Sequence, residues 1–147
     1  MEKVKFSVLC LITTLLISSC SSPAVVEKLG KCSNQQSLVV ENHIGSQIDA
    51  LADNNWQRAY SFAAASFQES VSLEQFKQVI NRQYLYLIFN EGFTFGDCKN
   101  TAQGINQLVV VDFQGRKRTL SYDLTLIAER LGVVAATEIS VADEVAT

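Results

Sequence analysis

The chain predicts an α+β domain in which three N-terminal helices lie on one face of an antiparallel sheet. Two observations carry that prediction. Apolar residues recur at helical spacing from Leu38 to about Gln83, and after Tyr84 the texture changes to aromatic and β-branched runs separated by turn residues. Length is the third: 147 residues, less a short N-terminal apolar leader, hold one substantial core and not two.

Each element has its own signal. Val40, Ile44, Ile48, Leu51 and Ala52 fall on one face of an amphipathic first helix, which Asp53-Asn54-Asn55 ends. The same cluster caps a second helix, whose apolar positions Trp56, Ala59, Tyr60, Ala63 and Phe67 keep the helical period. Ser72 and Gln75 form a capping box, with Val71 and Phe76 as a hydrophobic staple, so a third helix starts at Leu73 and runs to about Gln83. Tyr84 to Phe89 reads as a β segment whose first part is compatible with helix. Asn90-Glu91-Gly92 interrupts it before Phe93-Thr94-Phe95. Leu108 to Phe113 is a near-continuous apolar strand. From Lys117 to Ala128, Leu120, Tyr122, Leu124 and Leu126 alternate with Thr119, Ser121, Asp123 and Thr125, so one face is buried and the other wet. Gln114-Gly115 makes the hairpin between these two strands. Glu129 to Gly132 turns the chain into a last strand, Val133 to Ile139.

The N-terminus carries an address. Lys3 and Lys5 precede a short apolar run, Val8 to Ile17, which Ser18-Ser19-Cys20 closes. This resembles a bacterial lipoprotein cleavage site, and the run is too short to span a hydrocarbon core of about 30 Å. The resemblance implies that residues 1–19 are a signal peptide and that Cys20 becomes a lipid-bearing (palmitate-type) N-terminus. Residues 20–36 would then be a tether of at most roughly 50 Å and residues 37–147 a single domain. The expected location is the cell envelope, anchored to a membrane and facing the periplasm or the exterior. Cys10 lies in the leader and Cys20 is the acceptor, leaving Cys32 and Cys98 as the thiols of an extracytoplasmic domain and a candidate disulfide. Such a bridge would be worth about 4 kcal/mol on the chain-entropy model.

The segment Ala59-Tyr60-Ser61-Phe62-Ala63, preceded by a helix ending in an Asp/Asn cluster, is followed by Phe76-Lys77-Gln78-Val79-Ile80 and Tyr84. It resembles a bacterial family of uncharacterised domains in the nuclear transport factor 2-like superfamily, over most of residues 37–140. That resemblance implies a cystatin-like cone: a strongly curved antiparallel sheet wrapped around helices, with a pocket at its wide end. One departure stands out. After Phe62 the related domains tend to carry a Ser-Pro pair, whereas Ala64-Ala65-Ser66 here would let the second helix continue.

The chemistry is sparse. The chain's net charge is −3, and loss of Glu2, Lys3 and Lys5 would make it −4, which argues against a nucleic-acid partner. Arg116-Lys117-Arg118 follows the Gln114-Gly115 turn and reads as a solvated tip. One His and no C-x-x-C spacing give no metal set, and no cofactor is expected. His43, on the first helix, reads as a surface or half-buried residue; Asp97 and Asp112 are the carboxylates to watch, with Asp112 expected wet beside the turn. Trp56, Tyr60 and Tyr84 are candidate pocket residues. No catalytic residue is assigned. Three readings compete: a non-catalytic module binding a small apolar ligand or an envelope protein, a cone-fold isomerase or dehydratase, and a structural homodimer.

Overall fold

A computed structural model describes residues 29–139. The expected signal peptide, Cys20 and most of the expected tether lie outside the described residues, as does the chain beyond Ile139. Five helical segments and one five-stranded antiparallel sheet follow in the order β1 (Gly30–Lys31), α1 (Asn34–Ala52), α2 (Trp56–Ser61), α3 (Ala65–Ser70), α4 (Leu73–Gln83), α5 (Leu85–Ile88), β2 (Gly92–Thr101), β3 (Gly104–Phe113), β4 (Arg116–Ile127) and β5 (Arg130–Ile139). Spatial order equals sequence order, β1-β2-β3-β4-β5. The expectation of three helices on a curved, cone-forming sheet is therefore corrected: there are five helical segments in the N-terminal half, a strand precedes them, and the sheet is a single five-stranded meander. Folded structure also begins before residue 37, because β1 and the first turn of α1 lie within the stretch expected to be tether.

The boundaries of the first helix follow from capping. Ser33 accepts a hydrogen bond from the Gln36 N–H at 3.2 Å and starts α1 four residues earlier than the apolar period suggested. Asn54, at φ 55°, takes the left-handed conformation that stops it, and the Asn55 side chain then caps α2 by accepting from the Arg58 N–H. Val40, Ile44, Ile48 and Leu51 are buried, the stripe the spacing predicts. At Ser72 both halves of the capping box are present, and α4 begins at Leu73 as expected.

The second predicted helix breaks where it was expected to run on. Phe62, Ala63 and Ala64 pair in parallel with β5 instead. The Ala64 N–H donates to the Val133 carbonyl at 2.8 Å and the Val133 N–H donates to the Phe62 carbonyl at 2.9 Å. A continuing helix would have bonded the Ala64 N–H to the Tyr60 carbonyl. The Gln68 side chain takes over that duty, donating from Nε2 to the carbonyls of Tyr60 and Ala63, both at 3.0 Å. The backbone groups freed at the break thus find partners, so the break costs little hydrogen bonding. Gly132 makes the approach achievable. A Cβ there would stand 2.5 Å from the Ala64 Cα, so only glycine fits.

Residues 84–89, read mainly as β, form the short helix α5, with Tyr86, Leu87 and Ile88 buried in succession. Three consecutive buried residues show no period at all, which is why local propensity gave the wrong element. The sheet matches its alternation. Ile105, Gln107, Val109 and Val111 of β3 and Leu120, Tyr122 and Leu124 of β4 point into the core, while Asp112, Val110 and Ser121 face the other way. Leu126, expected in that core, is half exposed near the end of β4, in a shallow groove beside Val39 of α1. The Gln114-Gly115 hairpin has φ of 51° and 68°, the turn expected. The next hairpin turns at Ala128-Glu129, also with positive φ at both residues, ahead of the glycine that suggested a turn.

Cys32 and Cys98 form a disulfide, with Cα atoms 5.4 Å apart, tying the segment between β1 and α1 to β2. The Cys32 N–H also donates to the Cys98 carbonyl at 3.0 Å. Beside it, β2 bulges between Phe95 and Cys98. The wholly buried Gln107 donates to the Gly96 carbonyl at 2.9 Å, satisfying a group the bulge removes from the ladder.

Candidate functional site

A cavity of about 230 Å³ opens between α3, α4 and the start of α5 on one side and β5 on the other. Phe67, Phe76, Val79 and Ile80 form its helical wall. Val133, Val134, Ala135 and Ala136 form the strand wall, and Leu51, Gln47 and Tyr122 lie at the base. Two features make the space. The strand wall carries a small residue on the core face, Ala136, which pairs Tyr122, and β5 carries a bulge at Val134, since Asp123 pairs Ala135 while Leu124 pairs Val133.

Its polar groups are few and mostly engaged. The Tyr84 hydroxyl donates to the Ala136 carbonyl at 2.7 Å. Gln47 donates to the Ala59 carbonyl at 3.2 Å. Tyr122 is fully buried, and loss of solvation, followed by the proximity of Tyr86 and Tyr84, pushes its phenol far above the ordinary tyrosine value, so it is neutral at any physiological pH. A cavity with these walls is suited to an apolar body with at most one hydrogen-bonding group.

Of the three expected pocket residues, Tyr84 lines this cavity. Tyr60 does not; its hydroxyl donates to the carbonyls of Val71 at 2.5 Å and Gln68 at 3.2 Å, and its ring packs on Phe76. Trp56 is half-buried at the start of α2, against the core and away from the lining. The residues sequence reasoning missed are Gln47, Tyr122, Ala135 and Ala136. An alanine, Ala136, in place of a larger residue in the last strand was the available signal.

The other candidates sit apart from the cavity. The His43 Nε2 lies 2.9 Å from the Phe62 carbonyl and its ring meets Phe62 edge-on; burial lowers its pKa, against the opposing effect of that hydrogen bond. Asp112 forms an exposed ion pair with Lys117 at 2.9 Å, and Asp97 one with Lys99 at 3.6 Å. Arg118 departs from its expected place in a solvated tip. It points inward from β4, pairs with Glu138 at 2.7 Å and lies 4.9 Å above the Tyr86 ring. The buried Tyr86 hydroxyl lies beside Glu138. Burial, then the Glu138 charge, raises its pKa far above the ordinary tyrosine value. Among the described residues, no group of three His, Cys, Asp or Glu side chains is placed to hold a metal ion, and no helix is long and apolar enough to cross a membrane.

Residues 33–139 match a family model described as a domain of unknown function, DUF4864. The chain belongs to this family. The match begins at Ser33, the cap of α1, and ends at Ile139, the last residue of β5, so the DUF4864 domain coincides with the helices and strands that enclose the cavity. No curated protein and no solved structure matches the chain.

Proposed function

We propose that this DUF4864 domain is a non-catalytic binding module, held at a bacterial membrane through lipid on Cys20, that takes a small apolar ligand between α4 and β5. The cavity of about 230 Å³ with its apolar walls carries the reading. Size bounds the ligand. A dry cavity of about 150 Å³ admits benzene, and drug-sized ligands occupy pockets of about 300 Å³ or more, so one or two rings or a short acyl chain fit here. The hydroxyls of Tyr60 and Tyr84 both donate to backbone carbonyls, which leaves neither poised to assist a reaction. Kinship with the nuclear transport factor 2-like superfamily, supported by the Ala59 to Ala63 segment, belongs to the same reading.

Thermal unfolding with indole, naphthalene and octanoate tests the ligand. At a hundredfold excess over Kd, binding stabilises by about 2.7 kcal/mol, a rise in Tm on the order of 10 °C for a domain of this size. Ala136→Phe, which fills the cavity from β5, should abolish the shift. No response to any of the three would sink the ligand reading. Metabolic labelling with a radioactive fatty acid tests the anchor, and equal label in wild type and Cys20→Ser would remove it.

A further inference from the structure

One end of the domain gathers the amino end of α1, the β2–β3 turn and the β4–β5 turn. The registers place them there: Gly30 pairs Asn100, Asn100 pairs Ile105, Ile105 pairs Leu124 and Leu124 pairs Val133, so the residues beyond that row project from the same edge of the fold. Gln36 of α1 reaches the same row, donating to the Asn100 side chain at 2.7 Å. Nine large hydrophobic side chains stand exposed among the described residues. Five of them are here: Leu29, Leu38, Val39, Leu126 and Ile127.

They are not scattered singly. Val39, Leu126 and Leu131 line one shallow groove, and Ile127 and Leu131 line the next, beside Ala64 and Ala65. Leu126 is 50 % and Ile127 65 % exposed although they are consecutive residues of a strand, so both faces of the β4 tip offer apolar surface to solvent. Lys31 and Arg130 stand exposed at this end, with Glu129 at the turn tip and Lys99 paired with Asp97. The described chain also starts here, at Leu29. Residues 20–28 reach at most about 30 Å when fully extended.

We propose that this end of the domain, with Val39, Leu126 and Ile127 at its centre, seats on the surface of an anionic lipid bilayer. The proposal rests on the reading of Cys20 as the lipid anchor. The short reach from Cys20 to Leu29 is what selects a bilayer over other occupants: of the domain's surfaces, the end at which Leu29 lies is the one the tether brings nearest to the lipid headgroups. Apolar side chains at the tip of β4 enter the headgroup boundary, and Lys31 and Arg130 meet lipid phosphates. The cavity mouth between α4 and β5 lies outside the patch and stays open to solvent.

All described elements follow Leu29, so the chain from Cys20 onward contains every one of them. With Cys32 and Cys98 in a disulfide, Cys20 is its one free thiol and couples to a maleimide lipid in vesicles of phosphatidylethanolamine and phosphatidylglycerol. This fixes the tether whether or not the cell acylates it, so failure of the labelling experiment leaves the docking test readable. Trp56 is the chain's only tryptophan. It follows the carboxyl end of α1, which lies about 20 Å along the helix axis from Val39 in the patch. Ile127→Trp combined with Trp56→Phe moves the fluorophore into the patch at an exposed position that tolerates it.

Lipids brominated near the headgroup should quench the fluorescence of this double variant at least about twofold more than that of the chain retaining Trp56, as penetration of about 5–10 Å requires. Adding Leu126→Glu should remove the difference. Equal quenching of the two chains, or no quenching of either, overturns the proposal. So does a doubling of mass in sedimentation of the uncoupled chain that Leu126→Glu abolishes, since the patch would then join two copies.

Discussion

Gly132→Ala tests the feature that most shapes this fold, the contact of the α2–α3 break with β5. At a position of ordinary backbone conformation, replacing glycine by alanine stabilises by about 0.4–1 kcal/mol, because the unfolded chain loses freedom. Gly132 is not among the residues with positive φ, so that gain is the expectation in the absence of a neighbour. The structure reverses the sign. The new Cβ would sit 2.5 Å from the Ala64 Cα and 2.9 Å from both its N and its Cβ. Two of those atoms are backbone and do not swing aside, so the strands must part. Parting weakens the hydrogen bonds between Ala64 and Val133 and between Val133 and Phe62, at about 1 kcal/mol each, on top of about 1–3 kcal/mol for overpacking. The expected loss is about 2–4 kcal/mol, read as a lower urea midpoint at unchanged slope. Ala64→Gly in the same chain should restore only part of it, since the Cα and N of residue 64 remain. A neutral or stabilising Gly132→Ala would mean that residues 62–64 do not lie against β5, and the account of the helix break would fall with it.

Register on β4 is tested by Leu124→Ala, which should cost about 2–5 kcal/mol, against Thr125→Ala on the opposite face, which should cost about 1 kcal/mol or less. Equal midpoint shifts for the two would mean that both faces of the strand are covered. Cys32→Ser combined with Cys98→Ser should destabilise by about 2–4 kcal/mol, and an unchanged urea midpoint would show that the bridge contributes nothing to the folded state. His43 has a folded pKa below its unfolded value of about 6.5. The unfolded chain therefore binds the proton first as pH falls, so stability should be lost from about pH 6.5 downward and flat above it. The pH profile of His43→Gln should lack that decline, and identical profiles would show that the ring is freely solvated.

Local signals held wherever the interaction that forms an element is itself local. The capping box at Ser72 and Gln75 placed the start of α4, the stripe from Val40 to Leu51 placed the buried face of α1, and Gln114-Gly115 placed a hairpin. The disulfide was legible for another reason: the expected lipoprotein leader and acceptor accounted for two of four cysteines and left one pairing. The candidate site was legible only in part. Tyr84 was named, but Tyr60 has the same residue type and helical spacing, and nothing along the chain says whose hydroxyl faces a cavity.

Sequence alone determined the class of each long element, the face it buries and the cysteine pair, because capping, periodicity and alternation act within a few residues. Tertiary structure alone decided where the second helix breaks, that residues 84–89 coil, and that a cavity exists. The break depends on the Val133 backbone and on a missing Cβ at Gly132, far down the chain from Phe62. Residues 85–88 coil because Tyr86, Leu87 and Ile88 all enter the core at once, which overrides their β propensity. The cavity is lined by Ala136 of β5 and by Phe67 and Phe76 of α3 and α4, and only the packing of the helices on β5 brings those side chains to one space.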